Sequence, residues 1–178
     1  MDEKKLIKEY NDRFKKFGYS NYTLGWNKNR AKYRFEQFSK EFDFNNSSIL
    51  DIGCGFGDLY SYLKTQYKDF KYTGIDINPI LIKEGLKRFG NIDLRVINIL
   101  NEELDEKFDY ILCSGVFNYR LKNNYKYLDE FLSKTDFLTY RYYELREFDY
   151  NSEFIKWSYV SSYSTDCIKR INKKVKND

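Results

Sequence analysis

Residues 49–58 read Ile49-Leu50-Asp51-Ile52-Gly53-Cys54-Gly55-Phe56-Gly57-Asp58. A short apolar run that stops at glycine is the pattern of a buried strand. Leu59, Tyr62 and Leu63 then fall on one face of a helix. The glycines at 53, 55 and 57 therefore join a strand to a helix. Glycine admits positive φ and lets a ligand come close to the backbone. The helix that follows opens with unpaired N–H groups. The spacing is GxGxG, neither the GxGxxG of a dinucleotide fingerprint nor the GxxxxGK[ST] of a phosphate loop. No pyrophosphate cradle is expected.

Strands and helices keep alternating downstream. Phe70 to Ile77 reads as a strand that closes on Gly74-Ile75-Asp76-Ile77-Asn78. Asn78-Pro79 is an N-cap followed by proline at the first helical position. Ile82, Leu86 and Phe89 form the expected buried stripe of that helix before Gly90. Leu94 to Ile99 reads as a third strand and Phe108 to Cys113 as a fourth. Leu121, Tyr125, Leu128 and Leu132 mark another helix, and Thr135 to Leu145 a fifth strand. This order predicts an α/β fold: a Rossmann-like, doubly wound, mostly parallel sheet with helices on both faces. Right-handed crossovers bring the strand C-termini to one edge, where a ligand is expected. A carboxylate at Asp76 on that edge can accept two hydrogen bonds from a ribose diol.

Upstream, Leu6, Tyr10, Phe14 and Phe17 recur at helical spacing, and Gly18 follows as a C-terminal cap. The turn-rich YSNYTLGWNKN leads to a second helical pattern, Ala31, Phe35, Phe38 and Phe42. One domain over residues 1–178 is expected. Residues 1–45 form a helical cap, 46–145 the ligand-binding core, and 146–178 an atypical C-terminal segment with a basic tail.

The 178 residues are 42% hydrophobic, with 15 Phe and 18 Tyr, enough to build one core and too apolar for a disordered chain. The chain has no histidine, which excludes imidazole bases, Ser-His-Asp and Cys-His nucleophiles and HExxH zinc sites. Its three cysteines, Cys54, Cys113 and Cys167, are too few for a four-thiolate zinc site and too scattered for a disulfide framework. No metal is expected. Residues 1–40 carry 11 basic and 5 acidic side chains, and the last ten carry 5 and 1. The body between them holds 15 and 21, and an acidic body disfavours a nucleic-acid groove. No apolar run is long enough to span a membrane, and MDEKKLIKEYNDRF has charges where a secretory leader needs apolar residues. A cytoplasmic location is the expectation.

On LDIGCGFGDL (residues 50–59) and TGIDINP (residues 73–79), the chain resembles the class I S-adenosylmethionine-dependent methyltransferases over roughly residues 48–133. The resemblance implies S-adenosyl-L-methionine as cofactor and S-adenosyl-L-homocysteine as product. It implies Asp51 at the amino-acid end of the cofactor, lined by Gly53, Cys54 and Gly55. It implies Asp76 on the ribose hydroxyls and Ile77 on the adenine. Asn98, followed by Ile99, stands where the family usually has an acid against the adenine amino group, and Ser114 lies at the end of the fourth strand. Cys113-Ser114-Gly115-Val116-Phe117-Asn118 is not the [DN]PP[YFW] signature of amino-group DNA methyltransferases, which argues against adenine N6 chemistry.

A looser likeness, to small bacterial methyltransferases with a helical N-terminal lid, rests on Tyr10-x-x-Arg13-Phe14-x-x-Phe17-Gly18, Leu24-Gly25-Trp26 and Arg34-Phe35. It implies that the cap folds over the cofactor and brings Tyr10, Arg13, Trp26 and Arg34 to the acceptor pocket. Trp26 would stack on a ligand, and Arg13 or Arg34 would pair with a carboxylate or phosphate. The expected acceptor is a small anionic molecule, a sugar or a phosphorylated metabolite. The alternatives are an RNA or protein acceptor, or an inactive cofactor-binding fold. No catalytic base is named by the sequence; carboxylates, Tyr and Lys are the types at hand. From about Thr135 the family's closing helix and antiparallel strand pair have no clear counterpart. The C-terminal sheet edge is therefore expected to be incomplete, and an unpaired edge favours a homodimer.

Overall fold

Strand β1 (Ser47–Ile52) is buried on both faces from Ile49 onward, as its apolar run requires. The computed structural model describes residues 3–26, 30–116, 130–131, 133–135, 141–150 and 153–162. The helix expected around Leu121 to Leu128, residues 117 and 118 of the fourth-strand motif, and the basic tail lie outside them.

Two helices precede the sheet, α1 (Glu3–Phe17) and α2 (Arg30–Glu41). After β1 the chain runs through α3 (Asp58–Gln66), β2 (Phe70–Asp76), α4 (Pro79–Phe89), β3 (Asp93–Val96) and β4 (Tyr110–Ser114). It closes with β5 (Arg141–Tyr150) and β6 (Glu153–Ser162). The spatial order is β3-β2-β1-β4-β5-β6. The first five are parallel and β6 runs antiparallel to β5. The strand order reverses at β1, between β2 and β4, so a crevice opens beyond the C-termini of those strands.

Alternate residues of β1 feed two cores. Leu50 and Ile52 pack with Ile75, Ile111 and Phe131 on one face, and Ile49 packs with Phe38, Leu59, Leu63 and Leu112 on the other. At the opposite end of the sheet Asp109 accepts from the Ser48 N–H at 2.7 Å and from its hydroxyl at 2.8 Å, pinning β1 to the segment entering β4. Asn78 caps α4 as its sequence predicts, accepting from the N–H groups of Ile80 and Leu81. Among the described residues no helix is long and apolar enough to cross a membrane.

Two expectations need correction. Leu86 is 39% exposed, and the buried stripe of α4 is Leu81, Ile82 and Gly85. The helix leans on the glycine loop at Gly85, which turns Leu86 outward. The fifth strand begins at Arg141 rather than Thr135, because residues 133–135 are helical. The edge of β5 is not bare: β6 pairs with it along its whole length, from Arg141↔Ser162 to Tyr150↔Glu153. Among the described residues β6 is itself the last strand, so the sheet edge lies at β6 rather than at β5.

Candidate active site

The glycine loop crosses the end of β2. The N–H groups of Gly53 and Cys54 both donate to the Ile75 carbonyl, at 2.8 and 3.0 Å. Asp76, the last residue of β2, then ties the loop to α4. Its Oδ2 accepts from the Gly55 N–H at 2.9 Å and its Oδ1 from the Asn78 N–H at 2.8 Å. Burial pushes the Asp76 carboxyl above its ordinary range, and these backbone donors pull it back. The result is a half-buried carboxylate held by N–H groups at the C-terminal edge of the sheet.

A cavity of about 350 Å³ lies over this loop. It falls at the small end of the range for pockets that enclose a small organic molecule. Asp51, Gly53, Cys54, Gly55, Asp76, Ile77, Asn98, Ile99 and Ser114 all line it. Tyr10, Arg13 and Trp26 line it from the other side. Arg34 does not: it is buried behind Trp26, its guanidinium carbon 4.0 Å from the ring centroid. The tryptophan is therefore backed by a cation and presents its opposite side elsewhere.

Helix α1 borders the cavity. None of its side chains is fully buried, yet Leu6, Ile7 and Tyr10 line the cavity. Side-chain hydrogen bonds hold α1 and the segment after it against the core. Asn98 Nδ2 donates to Glu3 at 2.9 Å, Asn78 Nδ2 donates to Asn11 at 2.9 Å, and the Tyr19 hydroxyl donates to Asp58. The segment after α1 presses on the glycine loop itself. Gly55 has φ +58°, and a Cβ there would stand 3.0 Å from Leu24 Cδ2. That position needs glycine both for its backbone and for the close approach of Leu24.

Asn98 lines the cavity with its side chain engaged. Its Oδ1 accepts from the Leu100 N–H at 3.1 Å while its Nδ2 holds Glu3. The amide closes its own loop and ties down the start of α1. Cys54 is buried, and desolvation with the nearby Asp76 and Asp51 charges pushes its thiol well above the usual range. It is a packed thiol rather than a thiolate nucleophile. Ser114 Oγ is buried with no hydrogen-bond partner among the described residues. Sequence reasoning missed Tyr72, whose hydroxyl donates to Asp51 Oδ2 at 2.6 Å. It also assigned no role to Leu24 and left Asp58 outside the site.

Asp51 is 4% exposed. Burial pushes its carboxyl up to about 7; the Tyr72 hydrogen bond works against this, and the Asp76 and Asp58 charges add to it. A carboxyl raised in the folded state binds its proton more tightly there than in the unfolded chain, so its contribution to stability is lost as pH rises through the folded value. Between pH 8 and pH 6 the unliganded protein is expected to gain on the order of 1 kcal/mol from Asp51 alone. Urea unfolding at the two pH values measures this. Asp51→Asn should lack that share, and an unchanged pH dependence in the variant would remove Asp51 as its source.

The arrangement fits S-adenosylmethionine. A carboxylate in a backbone cradle suits a ribose diol, a buried acid suits an ammonium, and apolar walls at Ile77 and Ile99 suit a base. Comparison with known proteins agrees. A family model described as a methyltransferase domain matches residues 50–139, half of the chain. A malonyl-[acyl-carrier protein] O-methyltransferase of Acetivibrio thermocellus is 34% identical over 73 residues, 40% of this chain and 26% of that protein. The chain spans less than half the length of the curated relatives it matches. Two solved structures share the fold over most of both chains. One is magnesium protoporphyrin IX methyltransferase from Synechocystis with bound S-adenosylmethionine, at TM-score 0.62 and 16% identity, covering 98% of this chain and 86% of that one. The other is a TehB-like S-adenosylmethionine-dependent methyltransferase from Corynebacterium glutamicum, at TM-score 0.58 and 19% identity, covering 97% and 83%. With the glycine loop, the Asp76 cradle and the family match in agreement, this chain belongs to the methyltransferase domain family, of the class I S-adenosylmethionine-dependent type.

Proposed function

We propose that the chain transfers a methyl group from S-adenosylmethionine to a small anionic acceptor, a sugar or a phosphorylated metabolite, by in-line displacement. The observation that carries this reading is the polarity of the cavity. Its floor holds three acids, Asp51, Asp58 and Asp76, and α1 brings a cation, Arg13, beside the aromatic Tyr10. The floor suits the cationic cofactor and the lid suits an anion.

When bound, S-adenosylmethionine supplies a methyl group already activated on a sulfonium sulfur. The protein's part is then mainly to hold the two reactants in line and keep water out. Asp76 would take the ribose hydroxyls, and Asp51 the ammonium. Leu24 and Trp26 would close the lid side over the glycine loop. The Arg13 guanidinium, which pairs with Glu9 and lies 5.4 Å from the Tyr10 ring centroid, would orient the acceptor's anionic group. A chain without histidine can do all of this, because no imidazole is required for positioning.

Calorimetric titration with S-adenosylmethionine, followed by transfer of its labelled methyl group to a panel of acidic, phosphorylated and neutral sugars, tests the reading. Micromolar cofactor binding and preference for anionic acceptors are expected. Arg13→Ala should raise KM for such an acceptor about tenfold with little change in cofactor affinity. A folded protein that binds no cofactor would overturn the enzymatic reading. Preferred transfer to RNA or protein, steeply reduced by salt, would overturn the small-molecule acceptor.

A further inference from the structure

We propose that Tyr72 is a positioning residue: its hydroxyl, 2.6 Å from Asp51 Oδ2, holds the buried Asp51 carboxylate to receive the ammonium of the cofactor's amino-acid end. The inference rests on the cofactor reading above and extends it to a residue that no sequence motif singles out.

The geometry comes from strand register. Asp51 on β1 pairs opposite Gly74 on β2, and Tyr72 pairs opposite Ile49. Gly74 has no side chain, so the phenol two residues earlier can reach diagonally across the same face. The Tyr72 ring is buried and packs on Tyr60, with centroids 5.4 Å apart, so the hydroxyl is delivered from a rigid base. Among the described residues Tyr72 supplies the one hydrogen bond found on the Asp51 carboxylate.

The surroundings make that carboxylate incomplete without a cation. The titratable groups around it are Tyr72 and Asp76 of β2, Cys54 of the glycine loop and Asp58 of α3. Arg13 of α1 lines the same cavity but is engaged by Glu9. Desolvation and these acids push the phenol of Tyr72 far up, so it remains an O–H donor at any working pH. A donated hydrogen bond favours the charged form of a carboxylate. Tyr72 thus works against the burial that would protonate Asp51, and keeps it available as the counter-charge.

The test uses two ligands that differ only in the amino-acid end, S-adenosylhomocysteine and 5′-methylthioadenosine. Both are titrated into wild type and Tyr72→Phe between pH 5.5 and 7.5, below the range where the ligand's own amino group titrates. At pH 7 the variant should bind S-adenosylhomocysteine about tenfold more weakly and 5′-methylthioadenosine within about twofold of wild type. The acid limb of the S-adenosylhomocysteine profile should move to higher pH. Equal weakening for both ligands would mean a packing role and overturn the proposal, as would no change for either. Should Tyr72→Phe fail to fold, the wild-type profiles decide. S-adenosylhomocysteine affinity should fall up to tenfold per pH unit below about pH 7 while 5′-methylthioadenosine stays flat. Flat profiles for both would overturn the proposal. Wild type that binds neither ligand would instead defeat the cofactor reading itself.

Discussion

Asp76→Ala is expected to weaken S-adenosylhomocysteine binding at least about a hundredfold, and 5′-methylthioadenosine by the same factor. Two hydrogen bonds from ribose hydroxyls to a carboxylate are charge-assisted, and each is worth about 1.5–3 kcal/mol. Their joint loss corresponds to two or more orders of magnitude in Kd. Because the ribose is common to both ligands, the loss should be shared, which separates this variant from Tyr72→Phe. Asp76→Asn keeps one acceptor oxygen and should fall between. Stability should change little, because two effects oppose. The alanine variant leaves the Gly55 and Asn78 N–H groups without their acceptor, but it also removes a carboxylate that burial disfavours. Gly55 and Asn78 both line the cavity. Melting curves and titrations on the same samples measure both sides. Unaltered affinity for both ligands would take Asp76 out of the ribose site.

What the sequence discloses and what it withholds divide along contact range. The strand, glycine loop and helix of residues 47–66, the acid at the end of β2 and the Asn78 cap are all local, set by residues a few positions apart. Local patterns are what periodicity and capping rules read. Tyr72 is different. Its proximity to Asp51 depends on the register between β1 and β2, and a slip of one residue would send it to the other face. Asn98 is legible as an amide where the family has an acid, but its partner Glu3 is 95 residues away. The exposed Leu86 follows from how closely α4 meets the glycine loop, a tertiary contact that a helical wheel does not contain. At the C-terminal edge, β5 carries Tyr142, Phe148 and Tyr150 on one alternation and Tyr143 and Leu145 on the other. A strand without period-two patterning gives no amphipathic signal. The remaining clue was Asn151-Ser152, two turn-forming residues between the positions that pair as Tyr150↔Glu153.

Gly85→Ala is the substitution on which helix propensity and packing give opposite signs. Gly85 lies in the interior of α4, where alanine is worth about 1 kcal/mol more than glycine. Propensity alone predicts a more stable protein. The space around it predicts the reverse. A Cβ on Gly85 would run into the Phe56 carbonyl oxygen, and would stand 3.0 Å from the carbonyl carbon and 2.7 Å from Leu94 Cδ1. Leu94 can turn its end away; the Phe56 backbone cannot, because its neighbours Gly55 and Gly57 are hydrogen-bonded to Asp76 and Cys54. Phe56 is itself fully buried, its ring packed on Phe14 and Tyr19 of the cap. Overpacking of this kind costs about 1–3 kcal/mol, and contact with constrained backbone belongs at the upper end. The net expectation is destabilisation by about 2 kcal/mol, or roughly 4–8 °C in Tm for a chain of this size. The displaced backbone is the glycine loop, so S-adenosylhomocysteine affinity should fall as well. An exposed-face control, Lys83→Ala, should leave both unchanged, since Lys83 is exposed on the same helix. A more stable Gly85→Ala protein with undiminished affinity would show that α4 can move off the loop, and that the glycine loop does not depend on this helix for its position.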